Sequence, residues 1–129
     1  MGAFYTKALT GIEGIRLPPA QTEYAENVYW VYGILLDRNL PVLAKQLMTI
    51  FGEKRIGTRP FFYPMHWQPV FKRMGLFEDE SYPVAEYLSQ KGFYIPSGLT
   101  LKECEMEEVV RNLKVGLKQL LEPALDGSV

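Results

Sequence analysis

The run VYWVYGILL at positions 28–36 is rich in β-branched and aromatic residues and bounded by polar ones, so it reads as a strand. Successive side chains of a strand point to opposite faces. Val28, Trp30, Tyr32, Ile34 and Leu36 therefore share one face, and Tyr29, Val31, Gly33 and Leu35 share the other. Both sets are largely apolar, so the strand expects cover on two sides. The rest of the chain is read around it.

Downstream, Asp37 or Asn39 is placed to cap a helix with Pro41 in its first turn. Leu40, Leu43, Ala44, Leu47, Met48 and Phe51 recur at helical spacing as far as Gly52. A second strand over Thr58–Tyr63 carries Pro60, which assigns it to an edge or a bulge. Pro64 to Met74 reads as a turn running into a short helix. Ser81 and Pro83 open a further helix to about Gln90, closed by Gly92, and Phe93–Ile95 is a short third strand. Thr100 and Glu103 have capping-box spacing for the last helix. Its apolar face runs from Met106 through Val109, Val110, Leu113 and Leu117 to Leu120 and Leu121. Four glutamates fall in its first half and Arg111, Lys114 and Lys118 in its second, as the helix dipole favours. Pro123 is expected to stop it, leaving 126–129 as a loose tail.

Upstream, Ala3–Leu9 reads as the end of a helix broken by Gly11, Gly14 and Pro18-Pro19. A chain that opens on the last turns of a helix suggests a cut through something longer. The expected fold class is α/β, in two layers: a small three-stranded sheet flanked by helices. Those helices can blanket one face of the sheet. The second apolar face of the first strand then expects cover from outside these residues.

A length of 129 residues suits one domain with one core. With 14 basic and 15 acidic side chains the formal charge is −1, which offers no broad field to nucleic acid or to anionic lipid. Cys104 is the single cysteine, so an intrachain disulfide and a Cys-rich zinc site are both excluded, and a plain thiol on or beside a helix is expected. No secretory signal opens the chain, and no run reaches the ~18 apolar residues of a membrane span, so the cytoplasm is the expected compartment. Aromatics make up 13% and concentrate between Tyr24 and Tyr94.

Chemistry-bearing residues gather in one stretch, RPFFYPMHWQP at positions 59–69. Three prolines stiffen a segment that presents aromatic rings with an arginine, a histidine and an amide, a mixture suited to a ligand wall. Arg59 suits either an anionic ligand or a salt bridge to Glu26 or Asp37. His66, the only histidine, is either a packed, hydrogen-bonded residue or a ligand contact. Gln68 is read as tying down the following turn, Phe71 and Phe77 as core, and Asp79, Glu80 and Glu86 as solvated. No Gly-rich phosphate loop, Ser-His-Asp set or metal-ligand cluster is present in the sequence, which therefore shows no self-sufficient active site.

Three ordered blocks, NVYWVYGILL at 27–36, IGTRPFFYPMHWQP at 56–69 and PVAEYLSQKGFYIPSGLTL at 83–101, followed by EEVVRNLK, resemble the C-terminal portion of the DegT/DnrJ/StrS family. These are pyridoxal-phosphate-dependent aminotransferases of nucleotide-linked keto sugars. RPFFYPMH and GFYIPSGLTL are most similar to the branch that forms GDP-perosamine, a 4-amino sugar of bacterial surface polysaccharides. The resemblance implies the small α/β domain of a type I aminotransferase fold. Residues 1–16 would be the end of an interdomain helix and linker, 17–122 the small domain and 123–129 a tail. It also implies a homodimer, with a large N-terminal domain that holds pyridoxal 5'-phosphate on a lysine. None of the eight lysines here has that lysine's context, so no catalytic residue and no cofactor are expected for this chain alone. The substrate wall implied is Arg59, Phe61, Tyr63, His66 and Trp67, with Trp30 and Tyr32 behind it. Asn27 stands where the family often has histidine. The activity implied for the whole enzyme is glutamate-dependent amination of C4 of a GDP-4-keto-6-deoxysugar. The alternatives are a UDP- or dTDP-linked substrate, or a stand-alone binding module derived from the same fold.

Overall fold

The computed structural model describes residues 1–125, and the side chains of residues 1–122. Within them, β1 (Ile15–Arg16), β2 (Tyr32–Leu36), β3 (Arg59–Pro60) and β4 (Gly92–Ile95) form one antiparallel sheet in the order β1-β2-β4-β3. Five helices accompany it: α1 (Gly2–Leu9), α2 (Ala44–Glu53), α3 (Pro69–Arg73), α4 (Pro83–Lys91) and α5 (Glu103–Leu125). A single 3-10 turn covers Met65–Trp67.

The alternation in the central run holds from Tyr32 onward. Tyr32, Ile34 and Leu36 are fully buried on one face of β2, and the register sets Ile34 opposite Phe93 and Tyr32 opposite Ile95 on β4. Tyr5 and Leu9 of α1, Leu47 and Phe51 of α2, and Met106, Val109, Leu113 and Leu117 of α5 close over that face. Each such side chain stabilises the fold by about 1.5–3 kcal/mol on burial. The α5 stripe is the one read from its spacing. Gly116 lets α2 and α5 meet closely, since a Cβ there would stand 3.0 Å from Leu47 Cδ2.

Five expectations change. The strand starts at Tyr32, not Val28, because the Asn27 side-chain oxygen accepts the Tyr29 amide at 2.8 Å and Tyr29 turns into the left-handed region at φ 48°. The turn breaks the alternation: the Tyr29 ring stacks on Tyr32 and lies over Gly2, where no Cβ would fit, while Val28 and Trp30 stay in solvent. The sheet has four strands, not three, because β1 is only two residues long and carries no periodicity to read. The first long helix begins at Ala44. Asp37 is instead held by Arg16 at 2.9 Å, and the Gln46 side chain accepts the Leu43 amide at 2.7 Å. Last, α5 is capped at Lys102, whose amide donates to Glu105 Oε2 at 2.7 Å, rather than by Thr100 and Glu103. It runs past Pro123 to Leu125, a proline so near the end costing the backbone ladder only one bond. The tail expected over 126–129 lies outside the described residues.

Lys91 closes α4 in an unexpected way. Its Nζ is buried and donates to the carbonyls of Leu40 and Val42 at 2.5 and 2.6 Å, tying α4 to the loop before α2. Burial pulls its pKa below the ordinary lysine value.

Candidate ligand grooves

The stiff segment after β3 is anchored at Phe61. Its ring lies against the second face of the sheet, over the glycines at 33 and 92, and tilts onto Tyr94 with centroids 4.6 Å apart. A Cβ at residue 33 would stand 3.0 Å from Phe61 Cζ, and one at residue 92 would collide with the ring and stand 2.6 Å from the Leu88 carbonyl. Gly92 is thus a site of close approach in β4 as well as the residue that closes α4. With Leu17, Pro18 and Pro19 alongside, Phe61 half-covers Val31, Gly33 and Leu35. The second face, expected to be bare, is partly roofed by this one ring.

His66 turns inward. It is 6% exposed, and its Nε2 donates to Glu86 Oε1 at 2.9 Å. The ring also packs against Tyr82 and Trp67, with centroids 5.0 and 5.4 Å away. Glu86 accepts the Tyr82 amide at 3.1 Å too, so this carboxylate is not merely solvated as read from sequence. The Tyr82 amide first, and then His66, hold its pKa below the ordinary value of 4.5. The pair latches the 3-10 turn to the first turn of α4. The sequence did carry a signal for it, an acid in the opening turn of a proline-started helix, but nothing to say that His66 would meet it.

The remaining wall residues divide between two grooves. Trp30, Val31, Arg59, Pro60, Phe62 and Tyr94 line one, of about 370 Å³. Gly57, Thr58 and Ser97 continue its floor. Tyr63 and Trp67, tilted together at 5.7 Å, line the other with Leu43, Lys45, Met48 and Gln90, in about 560 Å³. Phe62 stands between them and belongs to both. Trp30 is 79% exposed and Phe62 81%. Among the described residues Arg59 makes no ion pair; Asp37 is taken by Arg16. Tyr32 is not behind this wall. It lies on the helix-covered face, where its hydroxyl meets Thr6 at 2.9 Å and burial pushes its pKa up. Phe62 lay within the stretch read as a wall but was not singled out, and Tyr94 was missed as a groove residue. Strand alternation was the available signal, since it sets Tyr94 on the face opposite Phe93.

Among the described residues no cluster of His, Cys, Asp and Glu gathers to hold a metal, and no helix is long and apolar enough to cross a membrane.

A four-stranded antiparallel sheet thus carries helices on one face and aromatic grooves at the other. The chain belongs to the DegT/DnrJ/EryC1/StrS aminotransferase family, whose model matches residues 1–114, and that family depends on pyridoxal phosphate. It is 31% identical over 86 residues to the GDP-perosamine synthase of Vibrio cholerae, a match covering 67% of this chain and 23% of that protein. The solved aminotransferase TlmJ of Streptoalloteichus hindustanus superimposes with a TM-score of 0.78 at 19% identity, over 93% of this chain and 31% of that one. Helicobacter pylori PseC, an aminotransferase involved in the biosynthesis of pseudoaminic acid, gives 0.77 at 12%, over 94% and 31%. These two likenesses are of fold. The chain spans about a quarter of the length of the curated relatives it matches.

Proposed function

We propose that these residues work as the C-terminal small domain of an enzyme that aminates C4 of a nucleotide-linked 4-keto-6-deoxysugar, GDP-linked by preference, with glutamate as the amino donor. In this reading 1–16 leads in from a large domain, 17–122 is the small domain, and the intact enzyme is a cytoplasmic homodimer. The observation that carries it is the aromatic wall around Arg59, set on a stretch similar to GDP-perosamine synthases.

The lysines of this chain do not fit pyridoxal phosphate. Seven of the eight are exposed, and the eighth, Lys91, is committed to two backbone carbonyls. Lys45 alone of the exposed ones borders an aromatic groove, and that groove's lining holds no carboxylate to pair with a pyridine nitrogen. In this reading the cofactor's anchors belong to residues outside this chain. What the chain supplies is position. Trp30, Arg59, Phe62, Tyr63 and Trp67 face the substrate, while Phe61 and His66 hold that wall in place from behind. Positioning of this kind lowers the barrier by removing the entropy of alignment before reaction.

Expression of the complete reading frame that contains these residues tests the proposal. Incubated with GDP-4-keto-6-deoxymannose, glutamate and pyridoxal phosphate, the product is a 4-amino sugar with one equivalent of 2-oxoglutarate, read by mass spectrometry. Turnover of a dTDP- or UDP-linked keto sugar in its place moves the substrate class. A frame with no cofactor lysine upstream sinks the reading. The isolated 129-residue chain should form no stoichiometric borohydride-reducible adduct with pyridoxal phosphate at any one lysine.

A further inference from the structure

We infer that residues 62–82 form a flap that opens as one piece, with Glu86 as its latch, and uncovers the groove of Tyr63 and Trp67. The segment leaves the sheet just after Phe61, whose amide donates to the Gly92 carbonyl at 3.3 Å, and rejoins the body at Pro83, the first residue of α4. Between those points only Pro64 and His66 are buried. No residue of α3 is buried, and none of the segment joins the core beneath α1, α2 and α5.

The segment is bonded mainly to itself. Its rings run in a chain from Phe71 to Phe77, Tyr82, His66, Trp67 and Tyr63, with successive centroids between 5.0 and 6.5 Å apart. Phe77 takes a left-handed backbone at φ 62°, and its ring meets Phe71 and Tyr82 edge-on. The backbone is equally self-contained. The amides of Trp67, Gln68, Phe71, Met74 and Leu76 all donate to carbonyls inside the segment.

The hydrogen bonds that leave it converge on one residue. Glu86 Oε1 accepts from His66 Nε2 at 2.9 Å and from the Tyr82 amide at 3.1 Å, and the Glu86 amide donates to the Tyr82 carbonyl at 3.0 Å. Among the described residues no other hydrogen bond or ion pair ties 62–82 to the rest of the chain. A unit with few buried contacts to the body opens at a lower cost than global unfolding. When it opens, Tyr63 and Trp67 part from Leu43, Lys45, Met48 and Gln90 on the opposite wall of their groove. That groove thus has one wall on the body and one on the flap.

Native-state hydrogen exchange of the 129-residue chain in a series of low urea concentrations tests the flap. The amides of Trp67, Gln68, Phe71, Met74 and Leu76 should share one opening constant with a shallow urea dependence. Amides of β2 and α5 should follow the steep dependence of global unfolding. Glu86→Ala should speed all five flap amides by one common factor, roughly ten- to a hundredfold, as the loss of a charged hydrogen bond implies. Leu113→Ala, in the sealed core, should speed the amides of β2 and α5 and leave those five unchanged. The urea series needs no variant and decides the matter where Leu113→Ala does not fold. Five unrelated opening constants, a steep urea line shared with β2, acceleration of the flap by Leu113→Ala, or no response to Glu86→Ala each overturns the inference.

Discussion

The two faces of the sheet start from similar apolar alternation and end in different states. On one, Tyr32, Ile34, Leu36, Phe93 and Ile95 are sealed beneath α1, α2 and α5. On the other, Val31, Leu35 and Tyr94 share a roof made mostly by Phe61, which can reach the backbone only because residues 33 and 92 are glycines. The first face is closed by long helices whose stripes are written into the sequence at regular spacing. The second is half-closed by a single ring on a proline-stiffened segment, and its rim is where the exposed aromatics and Arg59 collect. A face that is fully packed holds the fold. One that is packed only in part leaves room for a ligand or a neighbouring domain.

The largest expected effect lies on the sealed face. Phe93→Ala removes a fully buried ring and should destabilise the domain by about 3–5 kcal/mol, read as a shift of the urea midpoint. A loss below about 1 kcal/mol would erase the distinction between the faces. Gly33→Ala on the other side should cost about 1–3 kcal/mol by pushing on the Phe61 ring, as added methyls do in packed sites. The Phe61→Ala background should abolish most of that cost, because the nearest obstructing atoms belong to that ring. An additive double mutant would mean that the roof is elsewhere.

The latch behind the roof gives a smaller, pH-dependent effect. Since the folded state lowers the Glu86 pKa, the carboxylate stabilises the domain above the ordinary value of 4.5, and that contribution is lost as pH falls through the lowered folded value. Glu86→Gln should therefore be less stable than the parent at pH 6, with the gap closing as the solution is acidified below 4.5. A gap that is constant across the range would remove the carboxylate's charge from the account. Smallest of all is Phe62→Ala, whose exposed ring should alter stability by no more than about 0.5 kcal/mol while changing ligand binding. A large stability loss there would make Phe62 part of the roof.

Legibility in the sequence follows the same division. The α5 stripe, the α2 stripe and the strand from Tyr32 to Leu36 are periodic, and periodicity is what a sequence displays openly. The turn at Tyr29 is not, because it depends on the Asn27 side chain bonding an amide two residues on, a local choice that overrides strand propensity. β1 is too short to carry a pattern. The chemistry-bearing stretch was legible as a stretch, and Arg59 and Trp30 do meet in one groove. Which of its side chains face outward was not legible. Phe61 and His66 were drawn to Gly92 and Glu86, contacts across 31 and 20 residues of sequence that no local pattern announces.

The ends of the sheet carry a consequence of their own. Its outermost strands, β1 and β3, are two residues long each, and prolines interrupt the chain at once: Pro18 shortly after the first, Pro60 within the second. A proline offers no amide to a passing strand, and two residues give little template for one. The sheet thus resists lateral growth, so neither a second copy nor a stray unfolded segment finds a ladder to extend. The same short, proline-marked edges protect the domain from edge-to-edge aggregation.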